Sequence, residues 1–218
     1  MDICLIPARS GSKRLKNKNI ISFFGKPMIS YSIKTAIKCN LFKKIIVSTD
    51  SNKIAKISKK YGAEIPFMRP KKISNDFASD YDVIEHFINY AKAKNLKIRF
   101  LCYLYPVNPL LKISTLKKCK KKIIVTKCKK IVTIGKYSHP VQRALIKDKL
   151  GNIFYKEKNN TNKRSQNLNT LYHDAAQCYW YDLRKIKNIR NVANQTKSIE
   201  LKKFEFLDID TPEDFNNL

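Results

Sequence analysis

Residues 2–7, Asp-Ile-Cys-Leu-Ile-Pro, run directly into residues 8–19, Ala-Arg-Ser-Gly-Ser-Lys-Arg-Leu-Lys-Asn-Lys-Asn. The first stretch is apolar at every position from Ile3 to Ile6, so it reads as a strand covered on both faces. The second strings Arg9, Lys13, Arg14, Lys16 and Lys18 around Gly11. A buried strand that opens at its carboxyl end into a cationic, glycine-containing loop suits a parallel sheet layered between helices. In such sheets ligands sit beyond the strand ends.

Outward from that start, apolar runs alternate with helical spacing. Met28, Ile29, Ile33, Ala36 and Ile37 recur at helical intervals within 27–40, with Pro27 suited to a first turn. Residues 43–50 (KKIIVSTD) form a second buried strand, and 51–61 a helix that Gly62 closes as a C-cap. Residues 63–67 (AEIPF) are a short strand, 80–95 a helix and 99–106 (RFLCYLYP) a third strong strand. Residues 177–181 (QCYWY) and 197–210 (KSIELKKFEFLDID) read as further strands. Between 138 and 172 the periodicity fades, and 156–170 (KEKNNTNKRSQNLNT) is polar but for Leu168 and lacks periodicity, as in a loop or extended arm. No linker divides the chain. The expectation is one α/β domain over 1–218, three-layered and Rossmann-like, with a mostly parallel central sheet and an arm at 138–172.

Composition narrows the function classes. Lys+Arg number 45 against 17 Asp+Glu, a formal charge of +28, which would attract any polyanion. The excess is mostly lysine spread along the whole chain, and the densest run, Lys117 to Lys130, reads in part as a helix with a solvated basic face. Nucleic-acid binding would need aromatics interleaved with the cations on a shared surface, whereas the aromatics here sit in core-like runs. That class stands as the alternative. The six cysteines form no Cys-x-x-Cys pair and lie mostly in apolar runs, as reduced structural thiols do. No apolar stretch is long enough to cross a membrane, and the N-terminal run stops at Pro7 without a basic lead, so a cytoplasmic protein is expected.

The loop chemistry points to phosphate. Gly11 admits close backbone approach, Ser10 and Ser12 can donate hydrogen bonds, and Arg9 and Lys13 can neutralise oxygens. It is not a Walker loop, since Gly11-Ser12-Lys13 lacks the preceding glycine spacing and the following Ser or Thr. A second feature is Asp208-Ile209-Asp210, which as part of a strand would point both carboxylates to one face. Two such carboxylates suit Mg²⁺, although Asp210-Thr211-Pro212-Glu213 also fits a helix N-cap with an acidic first turn.

These residues carry a resemblance. The segment IPARSGSKRLKNKN is similar to the opening signature of the cytidylyltransferases that make CMP-activated nonulosonic acids, the CMP-sialic acid synthetase group. GKPMISYSIKTA, VSTDS and YGAEIPFMRP follow in that family's order, and DIDTPED closes the match, which spans essentially the whole chain. LYPVNPLL, HPVQRAL, RSQNL and YHDAAQCYW resemble most the branch that acts on pseudaminic acid.

The resemblance implies a Rossmann-like nucleotidyltransferase fold and transfer of CMP from CTP to the anomeric hydroxyl of a nonulosonic acid. Pyrophosphate is released, and the activated sugar serves surface glycans or flagellin glycosylation. It implies nucleotide contacts from Ala8, Arg9, Ser10, Gly11, Ser12, Lys13, Lys18, Asn19, Arg69 and Ser79. Catalytic roles fall to Arg9, Lys18, Asp208 and Asp210, with Mg²⁺ held by Asp208 and Asp210. Tyr105, Gln142, Arg143, Arg164, Gln166, His173 and Asp174 would line the sugar site. The arm would contribute there and to a homodimer contact. Read without the resemblance, His173-Asp174 is equally a structural pair. The sequence departs from the pseudaminic acid branch in the sugar half: Asn167 stands where Asp is usual after Arg-Ser-Gln, and Ala175-Ala176-Gln177 stands where small residues including glycine are usual. CMP-N-acetylneuraminate and CMP-legionaminate synthesis remain the alternatives within the class, with the 3-deoxy-octulosonate enzymes more distant.

Overall fold

The computed structural model describes residues 1–160 and 163–216. Its strands are β1 (Asp2–Pro7), β2 (Ser22–Phe23), β3 (Lys26–Pro27), β4 (Lys44–Ser48), β5 (Phe100–Leu104), β6 (Lys130–Lys136), β7 (Leu145–Lys147), β8 (Ile153–Tyr155), β9 (Tyr172–Asp182) and β10 (Thr196–Leu201). The helices are α1 (Ile29–Lys38), α2 (Asn52–Lys60), α3 (Asp80–Ala93), α4 (Ile113–Thr126) and α5 (Pro212–Asn216).

Six strands form the central sheet in the order β10-β6-β9-β5-β1-β4. Pairs β1–β4, β1–β5 and β6–β10 are parallel, and β9 runs antiparallel to both β5 and β6. The sheet is therefore mostly parallel, as continuous apolar strands demand. Side chains alternate between its faces. Cys4, Ile6, Cys102, Leu104, Cys178 and Trp180 pack with Ile29 and Ile33 of α1, Ile54 of α2 and Leu116 and Ile123 of α4. Ile3, Leu5, Leu101, Tyr103, Tyr179 and Tyr181 pack on the other side with Val83, Ile84 and Phe87 of α3. All six cysteines are buried and free.

Three departures from the sequence reading have physical causes. Residues 63–67 make only an isolated bridge, Ile46 to Glu64, because Pro66 cannot donate to a ladder. The strand expected over 197–210 ends at Leu201, where a turn begins, closed by Glu205 N–H donating to Lys202 O at 2.8 Å. The helix expected from Pro27 starts at Ile29, and Pro27 itself pairs with Ser22 in the β2–β3 hairpin.

The carboxyl ends of β1, β4 and β5 share one edge. The loops that leave them meet there with the segment 202–211. That segment is pinned by a third cluster in which Ile209 is buried with Leu15, Met28 and Val107. Burying an Ile side chain contributes about 1.5–3 kcal/mol, enough to hold an irregular segment against the opening loop. The arm contains the β7–β8 hairpin; residues 161 and 162 of it, and 217 and 218 of the expected domain, lie outside the described residues.

Candidate active site

A cleft of about 410 Å³ opens at that edge. Its walls include Arg9, Ser12, Lys13 and Lys18 from the opening loop, Asn19, Arg69, Ser79 and Tyr105, and both Asp208 and Asp210. Residues far apart in the chain thus come together as expected.

Three carboxylates hold the opening loop, and two of them, Asp50 and Asp76, were not singled out by the sequence reading. Asp50, just past β4, accepts from Ser10 N–H at 2.8 Å and from Ser10 Oγ–H at 2.7 Å. Both hydrogens of Ser10 are therefore committed to Asp50, and Ser10 anchors the loop where a phosphate contact was expected. Asp76 pairs with Arg9 at 2.7 Å and with Lys13 at 2.5 Å. Asp210 pairs with Lys18 at 2.7 Å and also receives Arg14. Four cations thus share two carboxylates; the Asp76 pairs are solvent-facing, so a polyanion in the cleft can exchange them at little electrostatic cost, whereas the Lys18–Asp210 pair is half-buried. Ala8 is buried and donates to Ser48 O at 2.8 Å, continuing the β1–β4 ladder. A Cβ on Gly11 would meet nothing within 4 Å, so no packing in the chain itself demands glycine there.

Asn19 is buried in a 3-10 turn (Lys18–Ile20) and donates to Arg9 O at 2.9 Å, which closes the loop on itself. Arg69 is 5% exposed, and neither its Nε nor its Nη2 has a hydrogen-bond partner. Burial lowers its pKa, while Tyr103 and Asp50 pull the other way. A buried guanidinium with idle donors facing a cleft is set up to receive acceptor atoms from a ligand. Ser79 caps α3 in a reciprocal box with Asp82, so its hydroxyl sits at the cleft lip while donating to Asp82.

Asp208 and Asp210 reach the cleft without being on a strand. They flank the buried Ile209, and both line the cleft. Burial and the neighbouring Asp210 charge raise the Asp208 pKa, a state that a cation between the two would relieve. Among the described residues no three His, Cys, Asp or Glu side chains cluster as a ready metal cage. The donor set is two carboxylate groups, all oxygen. That suits a hard cation such as Mg²⁺, which draws its remaining ligands from substrate phosphates and water.

The residues assigned to the sugar separate into two groups. Tyr105 lines the cleft, and His173 and Asp174 line an adjoining depression that shares Asp208 with it. His173 packs between Tyr137 and Phe206, at centroid distances of 4.9 and 5.3 Å, with Nδ1 2.8 Å from Asp174 O. Gln142, Arg143, Arg164 and Gln166 lie along the arm and line neither space. Gln142 donates to Asn169 O at 2.8 Å, Arg143 ends the 3-10 turn Val141–Arg143, and Arg164 and Gln166 are exposed.

The model of the cytidylyltransferase family matches residues 3–217. The chain belongs to that family. The pseudaminic acid cytidylyltransferase of Campylobacter jejuni is 37% identical over 179 residues, covering 82% of this chain and 77% of the relative. The CMP-N,N'-diacetyllegionaminic acid synthase of Legionella pneumophila is 31% identical over 218 residues, covering 98% and 92%. Among solved structures, a CMP:2-keto-3-deoxy-manno-octonic acid synthetase complexed with CTP superposes with a TM-score of 0.71 at 16% identity, covering 99% of this chain and 95% of that one. At that identity the likeness speaks for the shared fold.

Proposed function

We propose that the protein transfers CMP from CTP to the anomeric hydroxyl of a nonulosonic acid, with pseudaminic acid as the acceptor. One observation carries the reading: the cleft brings the cationic loop, the unpartnered Arg69 and the Asp208–Asp210 pair to one place in a chain of the cytidylyltransferase family. The acceptor oxygen attacks the α-phosphorus, the bond from that phosphorus to the pyrophosphate oxygen breaks, and the hydroxyl proton is released. Such chemistry is mostly positioning and charge neutralisation.

Arg9, Ser12 and Lys13 hold the phosphates, and Lys18 neutralises charge near the reacting phosphoryl group. Asn19, Arg69 and Ser79 face the nucleoside. Asp208 and Asp210 would hold Mg²⁺, which supplies charge neutralisation to the phosphates when bound. The acceptor enters beside Tyr105, His173 and Asp174, the group that meets the triphosphate cleft at Asp208. Relatives named for pseudaminic and for legionaminic acid both match; a legionaminic acid synthase reaches 50% identity, but over only 74 residues, and among the matches that span most of the chain the 37% identity to the pseudaminic acid enzyme, against 31% to the Legionella pneumophila legionaminic acid enzyme, favours pseudaminic acid.

The same reading includes a homodimer. Leu145, Ile146, Ile153, Phe154 and Tyr155 of the β7–β8 hairpin are all exposed, and two strands alone are marginal in water. A second copy covering the hairpin would also give Arg164 and Gln166 a site to act in. Among the described residues no helix is long and apolar enough to cross a membrane, which accords with a cytoplasmic enzyme.

The test is pyrophosphate release from CTP and Mg²⁺ with pseudaminic, legionaminic, N-acetylneuraminic and 3-deoxy-octulosonic acids in parallel. Release with pseudaminic acid, abolished by EDTA, is expected. Release only with another acid would reassign the acceptor, and none from folded protein would sink the proposed transfer.

A further inference from the structure

Three tyrosines form a rigid cluster below the acceptor side of the cleft. Tyr103 of β5 and Tyr179 of β9 are directly paired across the sheet and stack with planes 3° apart at 6.2 Å. The ring of Tyr105 stands across both, at 89° to Tyr103 and 87° to Tyr179. Each phenol has a single proton to give. Tyr103 donates to Asp80 at 2.6 Å, Tyr105 donates to the other oxygen of Asp80, and Tyr179 donates to Asp174. Asp80 stands in the first turn of α3 and lines the cleft with Tyr103 and Tyr105.

A bulge makes this arrangement possible. The register between β6 and β9 slips between Val132 and Ile134, and Ala176 takes a left-handed φ of 47°. The slip places Asp174 where its carboxylate reaches Tyr179, while its other oxygen accepts from Ala176 N–H at 2.8 Å. Bulges are common beside active sites, where they re-aim a side chain.

The Tyr105 and Tyr179 oxygens lie 3.3 Å apart. Hydrogen bonds to carboxylates are stronger than that long phenol–phenol contact, so neither proton sits between the two oxygens. Burial foremost, with the neighbouring carboxylates, raises the pKa of all three phenols and keeps them protonated as donors. Tyr179 is buried, which leaves the Tyr105 oxygen as the member of the pair that a ligand can reach, and it has only lone pairs to offer.

We propose that Asp80 is a positioning residue for the acceptor. By taking the protons of Tyr103 and Tyr105, it fixes the Tyr105 oxygen as a hydrogen-bond acceptor and selects a substrate that presents an O–H or N–H group to it. This rests on the reading of the cleft as a cytidylyltransferase site. Asp80→Asn keeps the shape but has one oxygen for two phenols, so one of them loses its acceptor.

The experiment compares Asp80→Asn, Tyr105→Phe and the double variant with the parent, reading kcat, the KM for the acceptor acid, and CTP affinity by calorimetry without acceptor. Loss of one hydrogen bond to a charged group should raise the acceptor KM about tenfold. CTP affinity should change by less than about twofold, and the double variant should be no worse than the more impaired single one, since both changes act on one oxygen. CTP affinity falling in step with the acceptor KM, or effects that add, would overturn the proposal. Tyr105→Phe retains the ring and keeps the question open to test should Asp80→Asn misfold. If the parent turns over none of the acids, the assigned reaction falls, and the proton arrangement is judged by phenolate absorbance against pH. Asp80→Asn should bring phenol ionisation to lower pH; an unmoved titration overturns it.

Discussion

Gly135 is the position at which a single methyl group should cost more activity than stability. It lies in β6, and a Cβ built there would meet the Phe206 ring at 2.1, 2.7 and 2.8 Å. The ring must retreat by roughly 1.3 Å to regain contact at 3.4 Å, and misplacement of about 1 Å in a catalytic group can cost about 100-fold. Phe206 stands two residues before Asp208, on a segment with no ladder of its own. The contacts that hold that segment include Ile209 in its cluster, Gln177 donating to Glu205 O at 2.6 Å, Lys112 on Glu205, the cations on Asp210, and Phe206 packed on Gly135 and His173. Gly135→Ala should therefore lower stability by about 1–3 kcal/mol, the usual cost of overpacking, and lower kcat by about 100-fold. Circular dichroism against temperature gives the first quantity and pyrophosphate release the second. Replacing Phe206 by Leu in the Gly135→Ala background relieves the contact and should recover part of the turnover. A Gly135→Ala protein that folds and keeps its parental kcat would refute the link from Gly135 through Phe206 to the carboxylates.

Other substitutions probe separate links. Asp210→Ala should cut turnover by orders of magnitude while the protein stays folded; near-normal turnover with Mg²⁺ would remove the residue from the metal role. Lys18→Ala should chiefly depress kcat, as for a contact that strengthens in the transition state, whereas a rise in the KM for CTP alone would make it a ground-state anchor. Ala176 pays for its left-handed φ of 47°, so Ala176→Gly should raise the thermal midpoint by about 2–4 °C, worth about 1 kcal/mol; a lowered midpoint would show that no strain is stored there. Hydrogen bonds from Arg190 first, then Ser79, draw the Asp82 pKa down from 3.8 to about 2. A depressed carboxylate stabilises the fold above its unfolded value, so this share should be present above about pH 4 and lost as pH falls toward 2. Midpoints of Asp82→Asn should flatten across that window, and an acid limb as steep as the parent's would discount the pair.

The sheet was legible because burial on both faces leaves a continuous apolar signature, as in Ile3–Ile6 and Phe100–Leu104. The direction of β9 was not, since antiparallel insertion leaves no local mark on Gln177–Tyr181. Asp208 and Asp210 were found by their spacing, yet both reach the cleft on an irregular segment pinned by the burial of Ile209. Arg9, Lys18, Asn19, Arg69 and Ser79 stood out through the loop chemistry and the family resemblance, and the cleft gathers all five. Asp50, Asp76 and Asp80 escaped notice because an isolated aspartate in a loop or first helical turn looks like any surface acid. Only tertiary placement sets Asp50 under Ser10, Asp76 across Arg9 and Lys13, and Asp80 beneath two phenols. For the arm, the faded periodicity gave no sign of the β7–β8 hairpin, whose short strands leave Leu145, Ile146, Ile153 and Phe154 exposed.

The most direct measurement follows the phosphorus. CTP labelled at the α-phosphate is incubated with the protein, Mg²⁺ and pseudaminic acid, and the products are separated. Attack at the α-phosphorus puts the label in a CMP-sugar and leaves pyrophosphate unlabelled. Label recovered only in CTP, or a sugar carrying the γ-phosphate instead, would contradict cytidylyl transfer in this cleft.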